Sequence, residues 1–267
     1  HRPTLFYSVP TGYGMLLAHT RERSPDFDLS SLCLAVSAGE ALPPVLFERF
    51  KQRFGLEIID GIGSTEALHM FISNRPGTIR PGSSGQLVPG YEARILDHDR
   101  APVVAGAIGN LWIKGDSVCA CYWNQPEKTQ DTIEGGWLRT GDKYTQDQDG
   151  FFWYAGRSDD MLKVGGQWVS PVEVENALLT HPDVQECGVV GHEDHDSLVK
   201  PMAFVVLRPG VDGTPARGME LEQFARALLA DYKRPRWVAF VPDLPKTATG
   251  KIQRFKLREL ATTRSSD

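Results

Sequence analysis

The sequence predicts an α/β fold followed by an α+β one: a parallel αβ sheet with a small β-barrel-like subdomain, then a compact, mobile α+β C-terminal domain. Three successive textures carry this reading. Apolar runs flank a helix-spaced segment between Leu32 and Ile59, strand-rich text separated by turn residues fills Pro81 to Gly156, and helical and strand spacings mix after Asp160.

The chain opens on the apolar, helix-like stretch "LFYSVPTGYGMLLAH". From Leu32 come "LCLAVSA", "GEALPP", "VLFERFKQRF", "GLEII" and "DGIGSTEALHMF". Val45, Leu46, Phe50 and Phe54 keep helical spacing, Pro43 and Pro44 suit a helix start, and Gly55 suits its cap. The continuous apolar runs on either side read as buried strands. A strand, helix, strand unit implies a parallel, right-handed crossover with ligands gathered at the C-terminal strand ends. "YEARILD", "NLWIKG" and "FFWYAG" then form the barrel-like part. The last texture predicts helices over Val172–Leu179 and Leu221–Leu229, with strands near Val184–Val190, Met202–Leu207 and Trp237–Val241. A boundary falls near "GRSDD", giving parts 1–80, 81–158 and 159–267.

With 267 residues, 41% hydrophobic and 24% charged, the chain has an ordinary soluble composition. It contains neither an 18-residue apolar run nor a basic-then-apolar start, so no membrane partner and a cytoplasmic location are expected. Beginning at His1 suggests a fragment or a processed chain. A net charge of −5 argues against a general nucleic-acid binder. Cys33, Cys119, Cys121 and Cys187 lie in apolar, strand-like text and read as core thiols, with Cys119 and Cys121 on one strand face. "DQDGFF" reads as an Asp-Gly turn rather than a calcium loop. "HEDHD" reads as a solvated loop between strands, and no transition-metal site is assigned.

Four stretches can carry chemistry. "GIGSTEALHMF" sets Gly61, Gly63, Ser64 and Thr65 at a strand end and Glu66 at a helix start. Glycines admit a ligand to the backbone, hydroxyls reach phosphate and a carboxylate holds Mg²⁺, although an ordinary helix N-cap explains the same residues. "GWLRTGD" offers Asp142 either to a ribose or to a simple turn. "GRSDDMLKVGGQWVS" is either a linker or a segment against which something slides. "LPKTATGKIQR" is either a basic tail or a mobile loop with a purpose.

In this collinear order the motifs "SAGEALP", "DGIGSTEALHMF", "GNLWIKGDSVCACYWNQPEKT", "GWLRTGD", "GRSDDMLKVGGQWVSPVEVENAL" and "LPKTATGKIQR" resemble the AMP-forming acyl-CoA synthetase and adenylation superfamily, and within it the benzoate-CoA ligase group. The resemblance covers nearly the whole chain and implies that residues 1–80 are the remainder of a large domain. It implies that ATP activates a carboxylate as acyl-AMP with release of pyrophosphate, and that coenzyme A then displaces AMP. Gly39, Glu40, Ala41 and Leu42 with Asp60, Gly61 and Ile62 would surround the adenine and acyl group, Thr65 would face the phosphates and Glu66 would hold Mg²⁺. Asp142 would bind the ribose with help from Arg157, Asp159 would be the hinge, and Gly165 and Gly166 would line the coenzyme A channel. Lys251 would bridge carboxylate and α-phosphate during adenylation and leave afterwards, which gives the mobile loop its purpose.

In this resemblance "SAGEALP" and "GIGSTEALHMF" would line the acyl pocket, where small Ala38, Gly39, Gly61 and Gly63 would leave space for a flat ring with Ile62 and His69 as neighbours, so an aromatic acid such as benzoate or a hydroxybenzoate is expected. The upstream phosphate loop of the family is missing, so residues 1–267 alone are expected to adenylate poorly. The missing N-terminal part of the same protein and a second copy of the chain are the candidate protein partners. The alternatives are a domain that loads a carrier protein and a non-catalytic fragment that binds nucleotide or a partner.

Overall fold

The computed structural model describes residues 1–22, 29–247 and 250–264. The chain divides into two compact units, His1–Ser158 and Asp159–Asp267.

In the first unit β1 (Leu5–Ser8), α1 (Pro10–Glu22), β2 (Leu34–Ser37), α2 (Pro44–Phe54), β3 (Ile58–Gly63), β4 (Met70–Ser73) and β5 (Gln86–Leu87) come first. Their sheet has the order β1-β2-β3-β4-β5, with β1, β2 and β3 parallel and the last two strands antiparallel. The opening stretch is thus strand first and helix only from Pro10, because Pro10 lacks an amide donor and starts a helix where it would end a ladder. Helix α2 follows the sequence expectation, with Pro44 in its first turn and Gly55 left-handed at φ 69 behind it. Phe47 and Phe50 are its buried residues, packed with Tyr13, Ala35 and Ile58.

The β-rich remainder comprises β6 (Tyr91–Leu96), β7 (Gly109–Gly115), α3 (Pro126–Thr132), β8 (Ile133–Glu134), β9 (Trp137–Gln146) and β10 (Phe152–Arg157). These strands form one antiparallel sheet in the order β10-β9-β7-β6, with β8 beside β9. Leu111, Ile113, Leu138, Tyr144 and Phe152 from it share a core with Phe71 and Ile72 of β4. Asp147 accepts the amides of Asp149 and Phe151, closing the β9–β10 turn at "DQDGFF".

The second unit holds β11 (Leu162–Val164), β12 (Gln167–Val169), α4 (Pro171–Leu179), β13 (Val184–Glu193), β14 (Val199–Leu207), α5 (Pro215–Leu228), β15 (Trp237–Phe240) and α6 (Arg254–Arg264). β13 and β14 pair antiparallel, and β14 pairs in parallel with β15. Both faces of β14 are covered, since Ala203 and Val205 pack with Val174 and Leu178 of α4 and Leu221 and Ala225 of α5, while Met202, Phe204 and Val206 pack with Leu257 and Ala261 of α6. That two-sided burial explains the unbroken apolar run in the sequence.

Two sequence readings are corrected. Cys119 and Cys121 lie in a loop after β7, not on a strand, and only Cys187 is buried, with Cys33 and Cys121 exposed and Cys119 intermediate. In "HEDHD", His192 and Glu193 still belong to β13, and the loop begins at Asp194. Among the described residues no helix is long and apolar enough to cross a membrane.

Candidate active site

The parallel strands set the site. β2 and β3 run side by side with Ser37 opposite Asp60, so the loop of Ala38, Gly39, Glu40, Ala41 and Leu42 leaves one strand end beside the Asp60, Gly61, Ile62 and Gly63 end of the other. Asp60 is only 5% exposed, and burial pushes its carboxyl well above the usual range, against the pull of the Leu42 amide, the Ser37 hydroxyl and the Gly61 amide. Its Oδ1 is buried with no hydrogen-bond partner among the described residues.

The helix expected to start at Glu66 is a single 3-10 turn, Thr65–Ala67. Leu68 ends it at φ 68, a left-handed conformation that a branched residue adopts under strain, and the β-forming run after it returns antiparallel on β3. Ser64 precedes the turn without a side-chain capping bond, so the N-cap reading of "GSTE" is set aside. The glycines of this motif also serve a purpose other than the expected one. A Cβ on Gly63 would come 2.4 Å from the His69 carbonyl oxygen and one on Gly61 2.7 Å from that of Ile72, so both admit the returning strand. Gly63→Ala should therefore destabilise the first unit by about 1–3 kcal/mol, read as a lower denaturant midpoint, and an unchanged midpoint would contradict this packing.

Thr65 is exposed, and Glu66 is half-buried with its Oε1 accepting the Tyr122 hydroxyl at 2.8 Å. Burial alone would raise the Glu66 carboxyl, but the Tyr122 hydroxyl, its own amide and the Lys128 charge together hold it below the usual value. Tyr122 is pushed up to about 12 by burial and by the same carboxylate, and Lys128 Nζ lies 3.9 Å over its ring. An ionised carboxylate with one oxygen held in place is the hard donor that Mg²⁺ takes, so Glu66 fits as its ligand. Sequence reading missed Tyr122, which stands inside a quoted motif but meets a partner 56 positions away.

The Tyr122–Glu66 pair has a pH signature. A depressed carboxyl contributes stability above its unfolded value and loses it as pH falls through the folded value, whereas the raised phenol contributes below its unfolded value and loses it as pH rises toward about 12. Tyr122→Phe should lower stability at pH 7 by about 1 kcal/mol, with the deficit shrinking in acid as Glu66 is protonated, as denaturant melts at neutral and acidic pH can show. A deficit that does not change with pH would mean the hydroxyl does not hold the carboxylate.

Asp142 and Arg157 face each other across β9 and β10, and Arg157 Nη1 donates to Asp142 Oδ1 at 3.2 Å and to the Thr140 carbonyl at 3.3 Å. Tyr144 of β9 is buried, which raises its phenol, and the neighbouring Asp142 charge adds to the rise. Its hydroxyl lies 2.9 Å from Ser84 Oγ. His69 is exposed, with its ring edge-on to Tyr7 of β1 at 6.3 Å.

The remaining candidates lie in the second unit. Asp159 is exposed in its first turn, and Gly165 and Gly166, at φ 56 and 83, make the two-residue turn between β11 and β12. Lys251 is exposed at the end of a short hairpin in which Lys246 bridges Ile252, the Thr247 amide reaches the Lys251 carbonyl at 2.8 Å and Gly250 sits at φ 93. Ala248 and Thr249, inside the quoted loop motif, lie outside the described residues.

The chain thus carries a strand-end cluster around Asp60 and Glu66 in its first unit and a lysine hairpin ahead of α6 in its second, and comparison with known proteins gives it a family. The AMP-binding enzyme family matches residues 1–123, and its C-terminal domain matches residues 173–251. The chain belongs to the AMP-binding enzymes. Within that family it is 53% identical over 259 residues to the benzoate–CoA ligase of Thauera aromatica, covering 97% of this chain and 49% of the relative. It is 44% identical over 261 residues to the 4-hydroxybenzoate–CoA/benzoate–CoA ligase of Rhodopseudomonas palustris, covering 97% and 48%. The crystal structure of the anthranilate CoA ligase AuaEII in complex with anthranoyl-AMP matches with a TM-score of 0.92 and 53% identity, covering 99% of this chain and 51% of that one. The chain spans about half the length of the curated relatives it matches.

Proposed function

We propose that this chain acts as part of an acid–thiol ligase that activates an aromatic carboxylate, of the benzoate or hydroxybenzoate type, and transfers it to coenzyme A. The 53% identity to a benzoate–CoA ligase across 97% of the chain carries the reading. A carboxylate oxygen attacks the α-phosphorus of ATP and pyrophosphate leaves. The thiol sulfur of coenzyme A then attacks the acyl carbonyl, loses its proton and expels AMP.

The residues fit these steps as follows. Gly39 to Leu42 and Asp60 to Ile62 bind the adenine and the acyl group, and Ala38, Gly63 and His69 border the ring. Thr65 meets the phosphates and Asp142, oriented by Arg157, accepts the ribose hydroxyls. Mg²⁺ on Glu66 would neutralise phosphate charge. Lys251 places a point charge where the attacking oxygen and the phosphoryl group share developing negative charge. Asp159 serves as the hinge of the second unit, and Gly165 and Gly166 present backbone to the pantetheine arm.

The test joins residues 1–267 to the upstream half of the Thauera aromatica relative and assays pyrophosphate release over a panel of benzoates, with coenzyme A or a carrier protein as acceptor. Release with benzoate and thioester on coenzyme A are expected. Activity only with aliphatic acids, or transfer only to the carrier, would overturn the reading. The unjoined chain is expected to adenylate poorly, since it contains no Ser/Thr/Gly-rich phosphate loop.

A further inference from the structure

The second unit contains a buried ion network that the proposed chemistry does not use. Arg254 Nη2 donates to both oxygens of Glu175 at 2.7 Å, and Arg254 Nη1 lies 3.7 Å from Asp160 Oδ2. Arg258 donates to Asp160 Oδ1 at 2.9 Å, and Glu175 Oε1 also accepts the Val189 amide at 2.8 Å. Three of the side chains are largely hidden, with 16% of Arg254, 9% of Glu175 and 14% of Asp160 exposed, while Arg258 is 44% exposed.

Arg254 is the first residue of α6, where a cation faces the positive end of the helix dipole. Docking of α6 does not require it, because Leu257 and Ala261 are already buried at 0% and 1% exposure in the sheet core. What its place gives is a tie between two segments. Arg254 closes the stem that carries Lys251, whose other strand is held by Lys246 bonded to Glu186 of β13 at 2.6 Å and to Asp243 at 3.2 Å. Its partner Asp160 immediately follows Asp159.

We propose that Arg254 is a positioning residue: with Glu175 and Asp160 it locks the stem of the Lys251 hairpin to the segment after Asp159, so that Lys251 is delivered in one geometry for adenylation. This rests on the proposed function. A planar guanidinium that turns one nitrogen to Glu175 and another toward Asp160 fixes orientation as well as distance, which the single ammonium of a lysine would not. The network plays no part in the thioester step.

The experiment measures, in the joined enzyme, pyrophosphate release from benzoate and ATP, thioester formation from preformed benzoyl-adenylate and coenzyme A, and the melting temperature. Arg254→Met should slow the first by about a hundredfold, as an ångström-scale misplacement does, and leave the second unchanged. Should that variant not fold, Glu175→Gln decides: it keeps the shape and the acceptor for Val189 but loses the charge, and should show the same selective loss to a smaller degree. Equal loss in both half-reactions that follows the melting temperature, or no loss in either, overturns the proposal. Lys251→Ala runs beside them. If that variant adenylates normally, or the joined wild-type chain does not adenylate at all, the proposed function itself has failed, and the positioning role with it.

Discussion

Lys251→Ala should lower acyl-adenylate formation by about a hundred- to a thousandfold while sparing thioester formation from a supplied acyl-adenylate. The size follows from what one well-placed donor is worth where charge develops in a transition state. The selectivity follows from the chemistry, since the thioester step has no attack on phosphorus for the cation to stabilise. Lys251 stands exposed at the end of a hairpin, so its truncation leaves no cavity and should not shift the melting temperature. Arginine should restore little, because its wider, planar head replaces a point charge on a slim stem. Comparable rates of adenylation for Lys251→Ala and wild type would remove the lysine from the reaction.

Glu66→Gln is expected to produce the second large loss. The substitution keeps side-chain shape and an acceptor for Tyr122, but removes the negative charge that the Tyr122 hydroxyl and Lys128 help to maintain. Adenylation at fixed Mg²⁺ should fall by about a hundredfold, and the Mg²⁺ concentration for half-maximal rate should rise by at least about tenfold. An unchanged Mg²⁺ dependence beside a lowered rate would show that Glu66 acts through something other than the metal.

The legibility of the fold followed how local its causes are. α2 and α4 were readable because proline and glycine punctuate one and Ser170 caps the other, its hydroxyl accepting the Glu173 amide at 3.1 Å. α5 begins at Pro215, earlier than the expected Leu221, because "PARGME" reads as loop text although Thr214 caps Arg217. The run after Glu66 reads as helix in sequence, but its helical propensity loses to a pairing with β3 that only the tertiary fold supplies.

The site divides the same way. Gly39, Asp60, Thr65 and Glu66 lie on strand ends or the turns after them, and their motifs name them. Tyr122, Tyr144 and Arg254 do not announce themselves, since each matters through a partner distant in sequence: Glu66 for Tyr122, Ser84 for Tyr144 and Glu175 for Arg254. Asp142 and Arg157 stand in separate motifs, and the β9–β10 register is what sets them opposite one another.

The measurement closest to the central claim is mass analysis of the joined enzyme incubated with benzoate, ATP and Mg²⁺ in the absence of coenzyme A. Enzyme-bound benzoyl-adenylate is expected, with pyrophosphate released in equal amount, and should disappear into benzoyl-CoA and AMP when coenzyme A is added. Conversion of ATP to ADP and phosphate with no acyl-adenylate would contradict that claim.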